Sequence, residues 1–481
     1  MKRRTVIILA CLVIAAISTE VYPQARGAAG QASQPQMAPK IVPGSTAEMQ
    51  SAKFWISRIK NPDKVIMTPD QIKALNEKNK TRGSNFTDIF GNPYSIDNTL
   101  ASQERIGIMY HVEDPLTYTS FPSDSLKFRI ERQNQWLRES AIADRRGLPF
   151  DEDMKKELLD NTDVESIPSG SVRPQYGIIV EHTLGRLMPY ELPTGRGSGS
   201  FLMDSMQAGL VDYGQPVAVL HMSKDRRWAY IRSEISFVWA EARHIALGTP
   251  KEIRAYIDSP SFIVATTHKI PIYGDSNFRN YITDFYLGAK VKLLEKTTAG
   301  YRVSYPVRTP EGSFSTATGW VKSDASVSVG YQPFTQRNIL NTFFSLLYRP
   351  YSGRDSFNER DCCGTMRTVF RTFGFHMGRW TSHQLHASDH VYMFPRDTPK
   401  EKKYELLKGC EPGICLVGDG GHISMYIGQA DGRYFVIHQS GYSYNDENGV
   451  RLSVARVNVN DTELAGGSNV SQWTEITTIK P

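Results

Sequence analysis

The feature that most constrains this chain is a duplication. Between Tyr176 and Gly330 one order of short strands and turns occurs twice. In the first copy, Tyr176-Gly177-Ile178-Ile179-Val180 precedes Val217-Ala218-Val219-Leu220. The turn Ser223-Lys224-Asp225 then leads to Trp228-Ala229-Tyr230-Ile231 and to Val238-Trp239-Ala240. In the second, Lys290-Val291-Lys292-Leu293-Leu294 passes through a Thr-Ala-Gly turn to Tyr301-Arg302-Val303-Ser304, and Gly319-Trp320-Val321 closes it. Short β-branched and aromatic runs at this spacing fold as small barrels, because each run is too short for a broad sheet. Two barrels spanning about 176–248 and 259–330 satisfy the pattern; one larger β-domain is the alternative.

The sequence on either side is different. Its 481 residues leave room for about three or four domains. With 40% hydrophobic and 22% charged residues it reads as an ordinary globular protein. A net charge of +6 over this length gives no basic footprint for nucleic acid, though it suits work near an anionic polymer. Lys2-Arg3-Arg4 and the apolar residues 6–17 form an export signal, with small residues at Ala15, Ala16 and Ser18 for cleavage. Ile8-Leu9-Ala10-Cys11 resembles a lipobox, which makes Cys11 a candidate lipid anchor. The chain is thus expected in the periplasm or cell envelope. Export implies an oxidising compartment, yet Cys362, Cys363, Cys410 and Cys415 all lie late in the chain and form no disulfide framework. Residues 27–47, rich in Gly, Ala, Gln, Ser and Pro, read as a disordered spacer. Residues 48–171 read as a mainly helical and irregular domain. Thr68-Pro69-Asp70-Gln71 starts one helix, and a second candidate covers 123–144. Helical spacing returns over 335–347 and opens a last domain near Gln332.

That last domain carries the chemistry. In Asp361-Cys362-Cys363-Gly364-Thr365-Met366-Arg367-Thr368-Val369-Phe370 an acidic residue precedes a thiol that opens an apolar-periodic helix, and Gly374 stops it. A thiol at a helix N-terminus is biased toward thiolate, the nucleophilic form. Downstream, 421–428 and 432–438 read as two strands joined at Asp431-Gly432. A three-residue loop (Gln429, Ala430, Asp431) would set Gly428 against Gly432 and His422 directly opposite His438. The two imidazoles then meet on one face, and a one-residue slip separates them. Thiol, imidazole and a second polar group to orient that imidazole make a nucleophile–base set. His376, His383, His386 and His390 crowd one segment with Asp389 but complete no ligand spacing, so neither metal nor cofactor is expected. Trp228, Trp239 and Trp320 are expected in barrel cores rather than on glycan-binding platforms.

These residues carry a resemblance. Asp361-Cys362-Cys363-Gly364 resembles the Asp-Cys-Ser-Gly motif of the NlpC/p60 cysteine peptidases, and Gly421-His422-Ile423 with Tyr426-Ile427-Gly428 resembles their general-base strand. His438 falls at their third polar residue, and Pro350-Tyr351 at the start of their Pro-Tyr-x-Trp-Gly-Gly segment. The duplicated strands resemble bacterial SH3 domains. Ile167-Pro168, Arg173, Tyr176-Gly177 and Arg186 resemble the joint between the family's N-terminal clip domain and its first SH3 module.

The resemblance implies a multidomain α+β protein. Residues 1–26 would be the export signal, 27–47 a linker, 48–171 the clip-like domain, 172–250 and 251–331 two SH3-like barrels, and 332–481 a papain-like peptidase domain. It implies a monomeric endopeptidase acting on peptidoglycan or its stem-peptide fragments, at the bond between γ-D-glutamate and a diamino acid, through a thioester. Some members need a free N-terminal L-alanine. Cys362 would be nucleophile, His422 base and His438 its partner. Tyr351, Cys363, Asp361, Trp380 and Thr381 would line the substrate and oxyanion positions. The chain departs from the pattern at Cys363 (for Ser), at Gly353-Arg354-Asp355 (for Trp-Gly-Gly) and at Arg379-Trp380-Thr381 (for Arg-Asp-Ser). The altered Pro-Tyr segment and Cys363 motivate one alternative, an impaired peptidoglycan-binding scaffold; an acyltransferase using the same thiol is a third class that the same residues would serve.

Overall fold

The computed structural model describes residues 36–80, 85–95, 112–144, 146–195, 202–464 and 469–481. The export signal expected at 1–26, with Cys11, lies outside them. Among the described residues no helix is long and apolar enough to cross a membrane.

The duplication is real and doubled in topology. Residues 175–247 and 262–329 each form a seven-stranded sheet. Counting strands along each copy, both sheets have the order 3-2-6-5-4-1-7. Each closes around its own apolar core: Val217, Ala229, Ile231 and Val238 in the first, Ile263, Ile272, Val291 and Val303 in the second. Trp228 and Trp239 are buried in packing.

The last domain is built on a six-stranded antiparallel sheet. Its strands run in the spatial order His390–Met393, Glu475–Thr478, Cys415–Asp419, His422–Ala430, Arg433–Ser440, Arg456–Asp461. The helix Cys362–Arg371 lies against the strands His422–Ala430 and Arg433–Ser440. Met366, Val369 and Phe370, at helical spacing, share one core with Ile423, Met425 and Ile437 of the sheet. Gly374 follows with φ +91, the left-handed conformation that ends the helix run.

Among the described residues, the segment 48–171 places its buried side chains in cores shared with other parts of the chain. Its front half belongs to the last domain. Met49, Trp55, Ile56, Met67, Ile72 and Leu75 lie in the same core as Met366 and Ile437. The Trp55 indole N–H donates to the Met49 carbonyl at 2.8 Å, so its polar edge is satisfied inside that core. Its rear half lies on the first barrel: Leu126 and Ile130 of the helix Ser123–Glu139 pack with Trp228, Tyr230 and Trp239. The helix Pro69–Lys80 starts where expected. Thr68 and Gln71 exchange the two bonds of a capping box, at 2.8 and 3.3 Å.

The spacer reading of 27–47 also fails for the part described. Gln36–Met37 pairs in parallel with Arg451–Ser453, and the Arg456 guanidinium donates to the carbonyls of Ala38 and Pro39. Ala38 and Val42 are buried against Tyr444, Leu452 and Val454. Composition suggested disorder, but two apolar side chains and free backbone groups sufficed to dock the strand on an existing edge.

Candidate active site

Asp361 is the N-cap of the helix Cys362–Arg371, and its carboxylate accepts the Gly364 N–H at 2.8 Å. Cys362 therefore sits at the first helical position, only 7% exposed. The Cys363 thiol beside it and the His422 imidazole hold the Cys362 thiol down at about 5, against the upward push of burial. The positive end of the helix works in the same direction.

The hairpin departs from the expected register. Ala430 faces Arg433, so the loop is the two residues Asp431-Gly432, both left-handed at φ 51 and 74. Gly428 faces Phe435, whereas Tyr426 faces Val436. Ile427 is thus an extra residue, a bulge. His422 is not directly opposite His438: continuing the register past Met425–Ile437 sets Ser424 there, and His422 lies two residues along the same face. The rings meet diagonally, His422 Nε2 to His438 Nδ1 at 2.6 Å. The bulge is what permits this. The turn-side register alone would have put the two histidines on opposite faces, and one extra residue restores the parity.

His438 is fully buried. Burial, then the neighbouring His422, hold it well below the usual imidazole range, so it is neutral. The Asn460 side chain hydrogen-bonds it from the next strand, and the Tyr442 ring stacks on it at 5.5 Å. Asn460 is anchored in turn: its amide donates to the Asp461 carbonyl at 2.8 Å, and its oxygen accepts from Asn458 at 3.1 Å. Sequence reading missed Asn460. Its signal was the alternation Val457-Asn458-Val459-Asn460, polar residues at period two on the strand that pairs with His438.

The neighbouring residues divide. Tyr351 lies beside the thiols and against Gly441; burial, then Asp361 and Cys362, push its phenol up, so it stays a donor. Asp361, Cys363 and Thr381 are engaged in contacts with other protein groups. The Asp361 carboxylate is saturated by Gly364 N–H, Arg354 N–H and both terminal nitrogens of Arg379 (3.1 and 2.7 Å). The Cys363 sulfur turns to the Thr381 hydroxyl at 3.0 Å, both residues buried. Trp380 packs against the core of the first barrel, with the Arg379 guanidinium 5.2 Å from its ring. Helix packing beneath the site claims these side chains. The clustered histidines disperse: His376 pairs with Glu234, His386 with the Ser382 carbonyl, His390 with the Pro481 carbonyl.

Arg354 and Asp355, at the Gly-Gly positions of the resembled segment, keep left-handed backbones at φ 59 and 56. Contacts hold them there. Asp355 is fully buried and pairs with Arg379 at 3.3 Å, and Gly353 N–H donates to the Leu202 carbonyl of the first barrel at 2.7 Å. The barrel also supplies Asp212, whose buried carboxylate meets Arg360 at 2.9 Å, Arg371 at 2.6 Å and Arg367 at 3.4 Å. Two of those arginines lie on the helix Cys362–Arg371 and the third just before it.

Known proteins bear out this architecture. Residues 192–241 match the model of the SH3 domain, SH3b1 type. A solved NlpC/P60 endopeptidase from Photobacterium damselae subsp. piscicida superposes with a TM-score of 0.68 at 16% identity, covering 92% of this chain and 99% of that one. An NlpC/P60 family protein from Bacillus cereus gives a TM-score of 0.42 at 17% identity, covering 64% of this chain and all (100%) of that one. No curated protein sequence matches. The chain is a multidomain α+β protein with the fold of the first of these structures and a bacterial-type SH3 domain.

Proposed function

We propose that this chain is an exported cysteine endopeptidase of the cell envelope that hydrolyses peptidoglycan stem peptides at the γ-D-glutamyl–diamino acid bond. The observation that carries the reading is the contact of His422 Nε2 with buried, neutral His438 beside the helix-capped Cys362. A neutral His438 accepting at Nδ1 fixes the His422 proton on Nε2. The other ring nitrogen, Nδ1, is then the base facing the thiol.

In this mechanism the Cys362 sulfur attacks the γ-carbonyl carbon and the carbonyl electrons move to oxygen. The Tyr351 hydroxyl and the Cys362 backbone N–H stabilise that oxyanion. Imidazolium His422 protonates the departing amine as the C–N bond breaks, leaving a thioester. Water, deprotonated by His422, releases the acid and regenerates the thiol. The fold shared with an NlpC/P60 endopeptidase and the SH3 module support peptidoglycan as substrate.

The test is incubation of the purified protein with L-Ala-γ-D-Glu-diaminopimelate and mass spectrometry of the products. The wild type releases the dipeptide L-Ala-D-Glu. Cys362→Ala loses about 10⁴-fold or more in kcat. Activity retained by Cys362→Ala and lost in Cys363→Ala would overturn the assignment of the nucleophile. Amide formed with an added amine, in place of free acid, would move the reading to acyl transfer.

A further inference from the structure

The reaction uses one thiol, yet two stand at the helix start. The Cys362 and Cys363 sulfurs are 3.7 Å apart. Their α-carbons, as neighbours in the chain, are about 3.8 Å apart, shorter than the span a disulfide takes without distortion. Chelation has no such obstacle. Two thiolates bound to one tetrahedral ion at the zinc–sulfur distance stand about 3.8 Å apart. The pair is already at that spacing.

The two sulfurs are the chelating pair. Asp361 has an oxygen within 4.8 Å of both sulfurs, but its two oxygens already accept four hydrogen bonds, so it is no ligand. Among the described residues no histidine nitrogen lies within that distance of both sulfurs, and the His422 imidazole reaches Cys362 alone.

We propose that the neighbouring thiols Cys362 and Cys363 form a chelating pair for a thiophilic divalent cation of the zinc and cadmium class, which withdraws the nucleophile from catalysis while bound. Binding releases one proton from each thiol and gives both sulfur lone pairs to the metal; nothing is oxidised or reduced. The Cys363 thiol exchanges its contact with Thr381 for the metal, and the other two coordination positions stay open to water. The switch rests on the peptidase reading; the binding does not.

The full chain carrying Cys11→Ser and Cys410→Ser is titrated with Cd²⁺ alone, so that no other thiol pair remains. One equivalent is expected to raise an ultraviolet thiolate-to-cadmium charge-transfer band, release protons and raise the melting temperature. Losing a partner that only orients a ligand already costs about 10–100-fold in affinity, so Cys363→Ser should weaken binding by at least about tenfold. No band at stoichiometric Cd²⁺ overturns the proposal in the parent protein, whether or not the serine variant folds. So does an affinity that Cys363→Ser leaves unchanged. In a parallel arm Cd²⁺ abolishes stem-peptide cleavage and a chelator restores it. A charge-transfer band in a protein that cleaves no stem peptide retains the metal site and removes the peptidase reading. Cleavage untouched by saturating Cd²⁺ removes the switch.

Discussion

Asp212 is the barrel carboxylate that meets the most arginines at the helix Cys362–Arg371, and replacing it with asparagine tests that grip. The carboxylate is fully buried and meets Arg360, Arg367 and Arg371 within 3.4 Å. Those guanidiniums repel one another: burial, then Arg371, hold Arg367 down at about 10. Asp212→Asn keeps the shape and removes the only carboxylate within ion-pair distance of Arg360 and Arg367, among the described residues. Breaking a buried pair so that charge is left uncompensated costs about 3–5 kcal/mol, and three guanidiniums around one site argue for the upper part of that range. The measurement is denaturant unfolding at neutral pH followed by tryptophan fluorescence. Arg371→Met and the double variant close the cycle, and the double should lose clearly less than the sum. The pH dependence has a definite sign. Burial would raise the Asp212 carboxyl, but the three arginines hold it well below its ordinary value. An unfolded aspartate titrates near about 3.9. A depressed carboxyl contributes stability that is complete above that value and is lost as pH falls through the folded one. The gap between wild type and Asp212→Asn should therefore be constant from about pH 5 to 8 and narrow below about pH 4. A loss under about 1 kcal/mol, the scale of an exposed pair, would refute the argument.

Other outcomes follow from the same geometry. Iodoacetamide should modify Cys362 at a rate that is flat above about pH 6 and falls below about 5, while Cys363, pushed up by its bond to Cys362 and by burial, stays unmodified; a rate still rising between pH 7 and 9 would contradict it. Asn460→Ala should lower kcat about 10- to 100-fold with KM little changed, because His438 loses its anchor and His422 its orientation; Asn460→Asp, which keeps an acceptor there, should recover part of it, and equal losses in both would point to a packing role. Trp55→Ala should cost about 3–5 kcal/mol, since the indole is fully buried and packs 5.3 Å from Phe435 on the base-bearing hairpin; unchanged thermal unfolding would put residues 48–56 outside the domain.

What could be read beforehand was local. The barrels follow from strand period and turn residues that recur within each copy. The start of the nucleophile helix follows from Asp361 and the apolar spacing after it. The meeting of the two histidines was expected for a partly wrong reason. The face was right and the register was not, because no local signal distinguishes a three-residue loop from a two-residue turn followed by a bulge at Ile427. Asp212 was illegible: an aspartate in a strand ending has no mark of the three arginines it meets 148 or more positions later. The docking of 36–42 and the place of Trp55 in the last domain's core were illegible for the converse reason. Composition describes what a segment does alone, and these segments are ordered by an edge and a core that other parts of the chain supply.

The same long-range contacts explain how the site tolerates its own departures from the resembled pattern. Arg354 and Asp355 hold left-handed backbones where glycine would be free to do so, a cost of roughly 1–2 kcal/mol each. Local sequence provides nothing to offset it. The offset comes from the Arg379 ion pairs beneath and from the first barrel, whose Leu202 carbonyl and Asp204 N–H bond Gly353 and Ser356 on either side of the strained pair. Asp361 is part of the same construction, since Arg379 fixes the carboxylate that caps the nucleophile helix. Strain at Arg354 and Asp355, the helix cap and the barrel interface are thus one network. A substitution at Asp204 should therefore shift the reactivity of the Cys362 thiol through the cap, as iodoacetamide rates would report, without any side chain of the barrel having to touch the substrate.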